Sequence, residues 1–220
     1  MSIQVPLLPL DGLVMFPGTV HRFHIFEQRH RLLVGNALQG ERLITVALLR
    51  PGWEEQHFGS PPVHRIAGLG EITEVEPLSD GRSNIVVEGR HRVRLLRELS
   101  GSPHRVVDVE IVEETLRIED RMTLQSEMRK MQRLGARLIT LFPQFTPDLT
   151  ELSFDASDAS RTVDLIAHRC VRDVYDRQSI LDESDICRRA QLARVQLMLL
   201  LQRFLSEADY GALMDSVERA

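Results

Sequence analysis

The chain has 220 residues, of which 43% are hydrophobic and 27% are charged, with a formal net charge of -5. This length and composition are typical of one soluble domain or two small ones, and the acidic balance gives no overall attraction to nucleic acid or an anionic membrane. No apolar run approaches the roughly 20 residues that a membrane-spanning helix needs. The first residues lack the basic and apolar segments of a secretory signal, so we expect a cytoplasmic protein.

The first half of the chain has a hydrophobic period near two, which predicts short β-strands. One helix is expected among them, at about residues 27–38. We expect Phe26 to anchor the start of this helix and Glu27 to lie in its first turn, where a carboxylate meets the positive end of the helix dipole. The predicted strands are residues 5–8, 13–16, 22–26, 43–49, 66–75, 84–96 and 105–112.

Glycine and proline mark the turns and close contacts of this half. Proline fixes φ, and glycine accepts the positive φ that many turns need. The pairs Pro17-Gly18 and Asp80-Gly81 are therefore typical of tight turns that reverse the chain. The segment Gly68-Leu69-Gly70 lacks the third glycine of a dinucleotide-binding loop. We therefore interpret it as a place where two backbones pack closely.

In the second half the hydrophobic period changes to 3.6, which predicts helices. The first helix carries an apolar stripe, followed by expected helices at about residues 159–171 and 173–180 and a last long one from 182–184 onward. The stripe comprises Leu124, Met128, Met131, Gly135, Leu138 and Phe142, and the last helix has Ile186, Ala190, Ala193, Leu197, Leu200 and Phe204 on one face. The sequence thus predicts an α+β protein, with a β domain at residues 1–116 and a helical bundle at 117–220.

Three blocks of the first half, taken in order, carry a family resemblance. The first reads VPLLPL, VMFPG and HIFEQR between residues 5 and 29. The second reads GEI, EPLSDGR and IVVEG between residues 70 and 89, and the third reads RVR and RVVDV between 92 and 109. Together they resemble the first, central and closing sequence motifs of the β part of the amino-terminal, substrate-binding domain of Lon proteases.

This resemblance implies a PUA-like β pseudo-barrel followed by a helical bundle, as a stand-alone relative without ATPase or peptidase domains. It also implies a non-catalytic module that binds polypeptides and acts as an adaptor in protein quality control. The partners implied are unfolded or degron-bearing polypeptides, together with a protease or chaperone. We expect no enzymatic activity and no cofactor.

The residue types needed for ATP-dependent proteolysis are missing from the sequence. A phosphate-binding loop needs a lysine after a glycine-rich turn, but the single lysine, Lys130, lies in a predicted helix between Arg129 and Met131. A Ser-Lys peptidase needs a desolvated lysine, whereas we expect Lys130 to be solvated. Neither G-x-S-x-G nor H-E-x-x-H occurs.

Histidines and cysteines do not form a convincing metal-binding pattern. His21 and His24 are three residues apart on a predicted strand, so they face opposite sides, although His30 on the following helix could approach one of them. No cysteine or carboxylate cluster completes a ligand set, and we expect no metal. Cys170 and Cys187 are predicted to be buried free thiols.

One candidate binding surface is the loop of residues 51–62, which places Trp53 and Phe58 among turn residues. Aromatic side chains on a loop can be exposed anchors for an unfolded client segment. They can equally fold back onto the barrel, and the sequence favours this second arrangement.

A second candidate is the strand that carries Arg90, Arg92 and Arg94. Their shared parity predicts one basic stripe on a sheet face, and residues 82–105 contain six arginines against two glutamates. PUA-like folds include RNA binders, so RNA binding through this stripe is the alternative function. The stripe lacks aromatic residues for base stacking, and we interpret it more readily as a solvated strand face.

Overall fold

The chain divides after Glu113 into two units, residues 1–113 and 114–220. The computed structural model describes residues 2–56, 59–141, 154 and 156–219. The predicted boundary between residues 116 and 117 lies three residues after this division. In the part of the chain that the structure describes, no helix is both long and apolar enough to cross a membrane.

A six-stranded sheet and one helix build the first unit. The strands are β1 (Ile3–Leu10), β2 (Val20–Ile25), β3 (Leu43–Leu48), β4 (Ile66–Pro77), β5 (Ser83–Leu99) and β6 (Val106–Ile111), and α1 (Gln28–Gln39) joins β2 to β3. The strand order is β2-β5-β4-β3-β1-β6, and β5 also pairs with β6. Five strands therefore close into a barrel, and β2 is attached to the outside of β5.

Successive side chains of a strand point to opposite faces, and β1 and β3 are buried on both faces. The long strand β5 pairs with β2 along its first half and with β6 along its second half. Its inward residues accordingly join two hydrophobic clusters. Ile85 and Val87 lie in a cluster with Met15, Leu33 and Ile44. The second cluster contains Val5, Leu7, Ala47, Ala67, Leu69, Val93, Val107 and Val109.

The prediction of a strand at residues 13–16 is wrong. The segment has no ladder partner, although Val14, Met15 and Phe16 are all buried. A Cβ built on Gly68 would meet the Met15 backbone, with the Met15 Cβ only 2.9 Å away. A Cβ on Gly89 would likewise meet the Phe16 carbonyl group, with its carbon at 3.0 Å. The apolar run therefore reflects a chain crossing that only glycine permits, rather than a pleated strand.

The predicted turns are confirmed by the backbone angles. Gly18 has φ +74° and Gly81 has φ +79°, the left-handed region that favours glycine. The Thr19 hydroxyl donates to the Phe16 carbonyl at 2.7 Å, which ties the first turn to the buried crossing. These turns fix where β2 begins and where β4 gives way to β5.

The described residues of the second unit form five helices. They are α2 (Arg121–Leu141), α3 (Ala159–Cys170), α4 (Val174–Asp182), α5 (Ile186–Gln202) and α6 (Glu207–Glu218). The predicted stripe of α2 is buried from Leu124 to Leu138, while Phe142 lies outside the described residues. The closed sheet of the first unit and these helices confirm the predicted α+β class.

The end of the chain differs from the prediction. Phe204 lies beyond α5 and is 47% exposed, and the buried face contains Cys187 and Leu201 instead of Ile186 and Leu200. Asp185 caps α5 by accepting from the Cys187 and Arg188 amides, which sets where the helix begins. The last helix, α6, was not predicted at all.

A buried ion-pair cluster holds the middle of the second unit. Arg189 on α5 is fully buried, and its Nη2 contacts Glu114 Oε1 at 2.5 Å and Ser160 Oγ at 2.8 Å. Its Nε lies 3.6 Å from Asp164 Oδ1 on α3. A charge this deeply buried is tolerated only because carboxylates and a hydroxyl surround it.

Substituting Gly89 by alanine tests the backbone crossing. We expect Gly89→Ala to lower the free energy of unfolding by about 1–3 kcal/mol, because the new Cβ would push against the Phe16 carbonyl. Gly35→Ala is the matched control, since Gly35 is an exposed residue of α1 where an added Cβ would have no neighbour within 4 Å. Urea denaturation followed by circular dichroism measures both. Equal stability of Gly89→Ala and the parent would contradict the crossing.

Truncating Arg189 tests the buried cluster. We expect Arg189→Ala to destabilise the second unit by about 3–5 kcal/mol, because it removes the cation beside the buried Asp164 carboxylate. The neighbouring Arg188 is exposed, so Arg188→Ala should change stability by less than about 0.5 kcal/mol. Thermal denaturation of the two variants provides the comparison. A similar small effect for both variants would show that the cluster contributes little.

Candidate functional site

An open groove lies in the first unit where β2 ends and α1 begins. It has a volume of about 440 Å³ and is lined by Phe26, Gln28, Arg31, Leu32 and Gly81. Phe26 is 60% exposed and Leu32 is 45% exposed. Large apolar side chains grouped around one depression are a common feature of protein-binding surfaces.

The position of the groove follows from the packing of the neighbouring residues. Ile25 ends β2 and is buried in the core, and α1 buries Leu33, Val34 and Ala37. Because helical positions 32 and 33 lie on different faces, Leu32 is left outside this contact. The prediction that Phe26 anchors the helix is wrong, since its ring lies mostly in solvent and stacks on His24 at a centroid distance of 6.0 Å.

Glu27 precedes α1 but makes no side-chain cap bond to it. Its carboxylate instead accepts from Arg29 Nε at 2.8 Å and lies 3.6 Å from His30 Nδ1. The prediction that Glu27 lies in the first turn of α1 is therefore wrong, because Glu27 is the residue before the helix and its carboxylate pairs with side chains.

Two arginines, one at the groove and one on β2, have no carboxylate partner among the described residues. Arg31 lines the groove, with its guanidinium over Gly81, and Arg22 is an exposed residue of β2. Nearby arginines are neutralised, as in the pairs of Arg29 with Glu27 and of Arg82 with Asp80. The groove and the adjoining strand therefore present uncompensated positive charge next to exposed apolar surface.

A second cavity, of about 350 Å³, lies beside Arg29, His30 and Leu33 of α1. Its other walls come from β1, residues 59–61 and the turn between β5 and β6. Arg105 braces this turn, because its Nε and Nη2 each donate to the Glu98 carboxylate at 2.7 Å while Nη1 donates to the Pro61 carbonyl at 2.8 Å.

Two histidines line this cavity, and burial shifts both of their pKa values. The Nε2 atoms of His30 and His104 are buried and have no hydrogen-bond partner among the described residues. Burial lowers the pKa of His30 below its ordinary 6.5, with Glu27 opposing the shift and Arg29 adding to it. Burial also lowers the pKa of His104. Both side chains are thus poised as neutral imidazoles near neutral pH.

Of the two predicted aromatic anchors, Trp53 and Phe58, the structure describes only Trp53. Trp53 begins a short 3₁₀ helix, Trp53–Gln56, and is half-buried rather than fully exposed. Phe58 lies outside the described residues. The same loop nevertheless supplies Gly59, Ser60 and Pro61 to the cavity wall. A partner-binding role for Trp53 and Phe58 stays a prediction.

The prediction of one exposed basic stripe is wrong, because Arg92 is only 3% exposed whereas Arg90 and Arg94 are exposed. In the pairing with β4, Gly89 and His91 oppose consecutive residues, so Arg90 is the extra residue of a β-bulge. The bulge separates Arg90 from the other two, whereas Arg92 lies opposite Gly68, where residues 13–16 cross the sheet, and Arg94 lies opposite Ile66.

The two exposed arginines of this set already have carboxylate partners. Arg90 contacts Glu71 at 2.9 Å and Glu88 at 2.7 Å, and Arg94 contacts Glu110 at 3.3 Å. These pairs reduce the positive charge available to a phosphate backbone. Binding of RNA or another partner by Arg90, Arg92 and Arg94 stays a prediction.

The single lysine and the two cysteines occupy structural positions in the second unit. Lys130 is 15% exposed, so the expectation of a solvated side chain is wrong, and its Nζ contacts Glu218 at 2.8 Å and Glu127 at 3.9 Å. Cys170 and Cys187 are buried free thiols, as predicted, and burial raises the pKa of Cys170 to about 12. Within the described ranges, no three histidine, cysteine or acidic residues are grouped to hold a metal ion.

Comparison with known proteins assigns this architecture to a family. Residues 4–198 match the family described as the ATP-dependent protease La (LON) substrate-binding domain. The chain belongs to the Lon substrate-binding domain family. The resemblance found in residues 5–109 is thereby confirmed and extends into the helical unit.

Solved structures of Lon amino-terminal domains share the fold. The domain of the Mycobacterium avium complex protease superposes with a TM-score of 0.68 at 18% identity, covering 89% of this chain and 98% of that one. The Xanthomonas campestris Lon N-terminal domain protein gives a TM-score of 0.58 at 21% identity, covering 86% and 95%.

Curated relatives are much longer than the region they share with this chain. Lon protease 2 of Bdellovibrio bacteriovorus is 30% identical over 189 residues, which are 86% of this chain and 23% of that protein. Lon protease of Dictyoglomus thermophilum is 26% identical over 187 residues, or 85% and 23%. The chain therefore spans about a quarter of the length of these Lon proteases.

The two buried histidines predict how stability depends on pH. Unfolding restores their ordinary pKa of 6.5, so below this pH the unfolded chain takes up protons that the folded chain resists. Stability is therefore retained above pH 6.5 and falls as the pH drops toward the lowered folded values. We expect His30→Gln with His104→Gln to flatten this dependence in urea titrations at several pH values. His91→Gln, on an exposed position of β5, should leave it unchanged, and an unaltered slope in the double variant would contradict the assignment.

Proposed function

We propose that this chain is a non-catalytic module that binds unfolded or degron-bearing polypeptides at the groove formed by Phe26, the first turns of α1 and the turn at Gly81. The observation that carries the proposal is the exposure of Phe26 and Leu32 around one depression in a domain of the Lon substrate-binding family. Unfolded polypeptides differ from folded ones in the apolar side chains that they expose. A surface that recognises them therefore needs apolar residues of its own in contact with water.

The charges around the groove support binding of a chain rather than of a small apolar molecule. Arg31 lies beside the apolar residues and Arg22 is exposed on β2, and neither has a carboxylate partner among the described residues. A polypeptide can satisfy both features at once, because it alternates apolar side chains with polar ones. Oriented charge at the rim also speeds encounter and selects among sequences.

The absence of catalytic machinery is part of the same proposal. The sequence has one lysine and no phosphate-binding loop, and the described contacts of Lys130 Nζ are carboxylates rather than a serine hydroxyl. We propose that the protein works in the cytoplasm as an adaptor that delivers bound polypeptides to a separate protease or chaperone. Purified protein should then show neither ATP hydrolysis nor peptidase activity.

Substituting the two groove residues tests the proposal. We expect Phe26→Ala with Leu32→Ala to weaken binding of a permanently unfolded protein, such as reduced and carboxymethylated α-lactalbumin, by roughly tenfold or more. Burial of each side chain in a complex contributes up to about 1.5–3 kcal/mol, which is lost on truncation. Fluorescence anisotropy with labelled client measures the affinity.

Leu96→Ala is the matched control, because Leu96 is 50% exposed on the far half of β5, away from the residues that pair with β2. It should bind like the parent chain. Equal affinity in the groove variant and the parent would place client binding elsewhere. Robust cleavage of the client by purified chain would reject the non-catalytic assignment.

A further inference from the structure

The outer edge of β2 is an open edge of the sheet. In the described part of the first unit, β2 pairs with β5 alone, whereas each of the other five strands has at least two strand neighbours around the ring. An edge strand presents unpaired backbone N–H and C=O groups, which form a template for another strand. β2 has no proline, and its six residues pair with β5 without a register shift. It is therefore a regular strand with one side available.

The register identifies which backbone groups face outward. Gly89 N–H donates to the Thr19 carbonyl at 2.8 Å, next to the paired residues Val20 and Glu88. Bonded and non-bonded pairs alternate along an antiparallel ladder, so His21, Phe23 and Ile25 bond to β5. The outward amides and carbonyls consequently belong to the alternate residues Val20, Arg22 and His24.

The groove begins directly after the last residue of β2, with Gly81 of the turn before β5 on its other side. Phe26 follows the last residue of β2 and lines the groove with Leu32 and Arg31. A strand added along β2 would thus pass from backbone pairing to an apolar side-chain contact within one or two residues. Strand addition typically combines these two elements, since backbone bonds give affinity and a side-chain pocket gives specificity.

Charge favours one kind of strand over the others. Arg22 and His24 are exposed on β2, and Arg31 lies at the groove. If two copies of β2 paired edge to edge, Arg22 and His24 of one copy would lie near Arg22 and His24 of the other. Like charges opposite each other destabilise a sheet, so this pairing is disfavoured. A strand that carries acidic residues would instead compensate Arg22 and Arg31.

We infer that an extended client segment with an apolar residue and acidic neighbours adds to β2 as a further strand and places the apolar side chain between Phe26 and Leu32. This inference rests on the proposed polypeptide-binding function and specifies how the polypeptide binds. The occupant is a single extended polypeptide segment. Its backbone bonds to the outward groups of Val20, Arg22 and His24, and its carboxylates lie near Arg22 and Arg31.

Backbone methylation of the client tests strand addition without altering the protein. The probe is a short peptide of alternating valine and threonine with one phenylalanine and two glutamates. Two derivatives carry N-methyl groups on alternate amides, one on each edge of the peptide strand. Strand addition predicts that one derivative loses affinity at least about tenfold while the other binds like the parent peptide, because only one edge bonds to β2. Equal binding of the two derivatives would overturn the inference.

Hydrogen exchange of the full chain provides an independent readout. Peptide binding should slow exchange of the Val20, Arg22 and His24 amides, measured residue by residue by NMR. The His21 and Phe23 amides serve as internal controls, since they already bond to β5 and should change little. Unchanged exchange at all three outward amides under saturating peptide would overturn the inference.

Charge reversal tests the acidic preference. Arg22→Glu with Arg31→Glu should weaken binding of the glutamate peptide at least about tenfold and restore it for a lysine counterpart. Arg65→Glu is the matched control, because Arg65 is an exposed arginine just before β4, away from β2 and the groove. If Arg65→Glu weakened peptide binding equally, the effect would come from the net charge of the protein. That result would contradict the contacts assigned to Arg22 and Arg31.

Failure of this inference can be separated from failure of the proposed function. If unfolded client binds and depends on Phe26 and Leu32, but the two methylated peptides bind equally, the function stands and strand addition is rejected. If no client binds at all, the function itself is rejected. Concentration-dependent dimers with protected β2 amides in the absence of peptide, detected by light scattering, would assign the edge to a second copy and overturn the inference.

Discussion

The first unit depends on one close backbone crossing, in which residues 13–16 pass over Gly68 and Gly89. The missing side chains of these glycines let the Met15 and Phe16 backbone lie against the sheet. The crossing buries Met15 and Phe16 and delivers the chain through the Gly18 turn to the start of β2. There β2 pairs with the first half of β5, while β6 pairs with its second half. The close crossing therefore precedes the strand whose outer edge is open.

The same arrangement explains the properties of the candidate site. Ile25 is drawn into the core at the end of β2, and α1 buries Leu33 and Val34 against it. Phe26 and Leu32 fall between these two anchored points and remain in solvent, although each costs free energy there. The backbone that carries these two apolar side chains is packed against the core on both sides, which reduces the ordering cost of binding a flexible chain.

Much of the fold follows from the sequence, because hydrophobic period and turn residues act locally. The α+β class, the turns at Gly18 and Gly81 and the buried stripe of α2 were all predictable on this basis. The segment 13–16 was misassigned because its apolar run comes from a tertiary crossing. The helix α6 was missed because it buries only Val217, although Ser206 and Asp209 form a capping pair at its start that could have revealed it. Arg92 was misplaced because it lies opposite Gly68, where the crossing of residues 13–16 is a tertiary feature that no local pattern signals. The exposure of Phe26 depends on packing that the family motif does not encode.

A client held by this protein should lie in the groove and along the open edge of the first unit. Chemical-shift mapping of the full chain with an unfolded polypeptide tests this claim most directly, since it reports on every assigned amide at once. We predict that the perturbations centre on β2, Phe26 and the first two turns of α1. Perturbations confined to the helices of the second unit, or to the turn between β5 and β6, would contradict it.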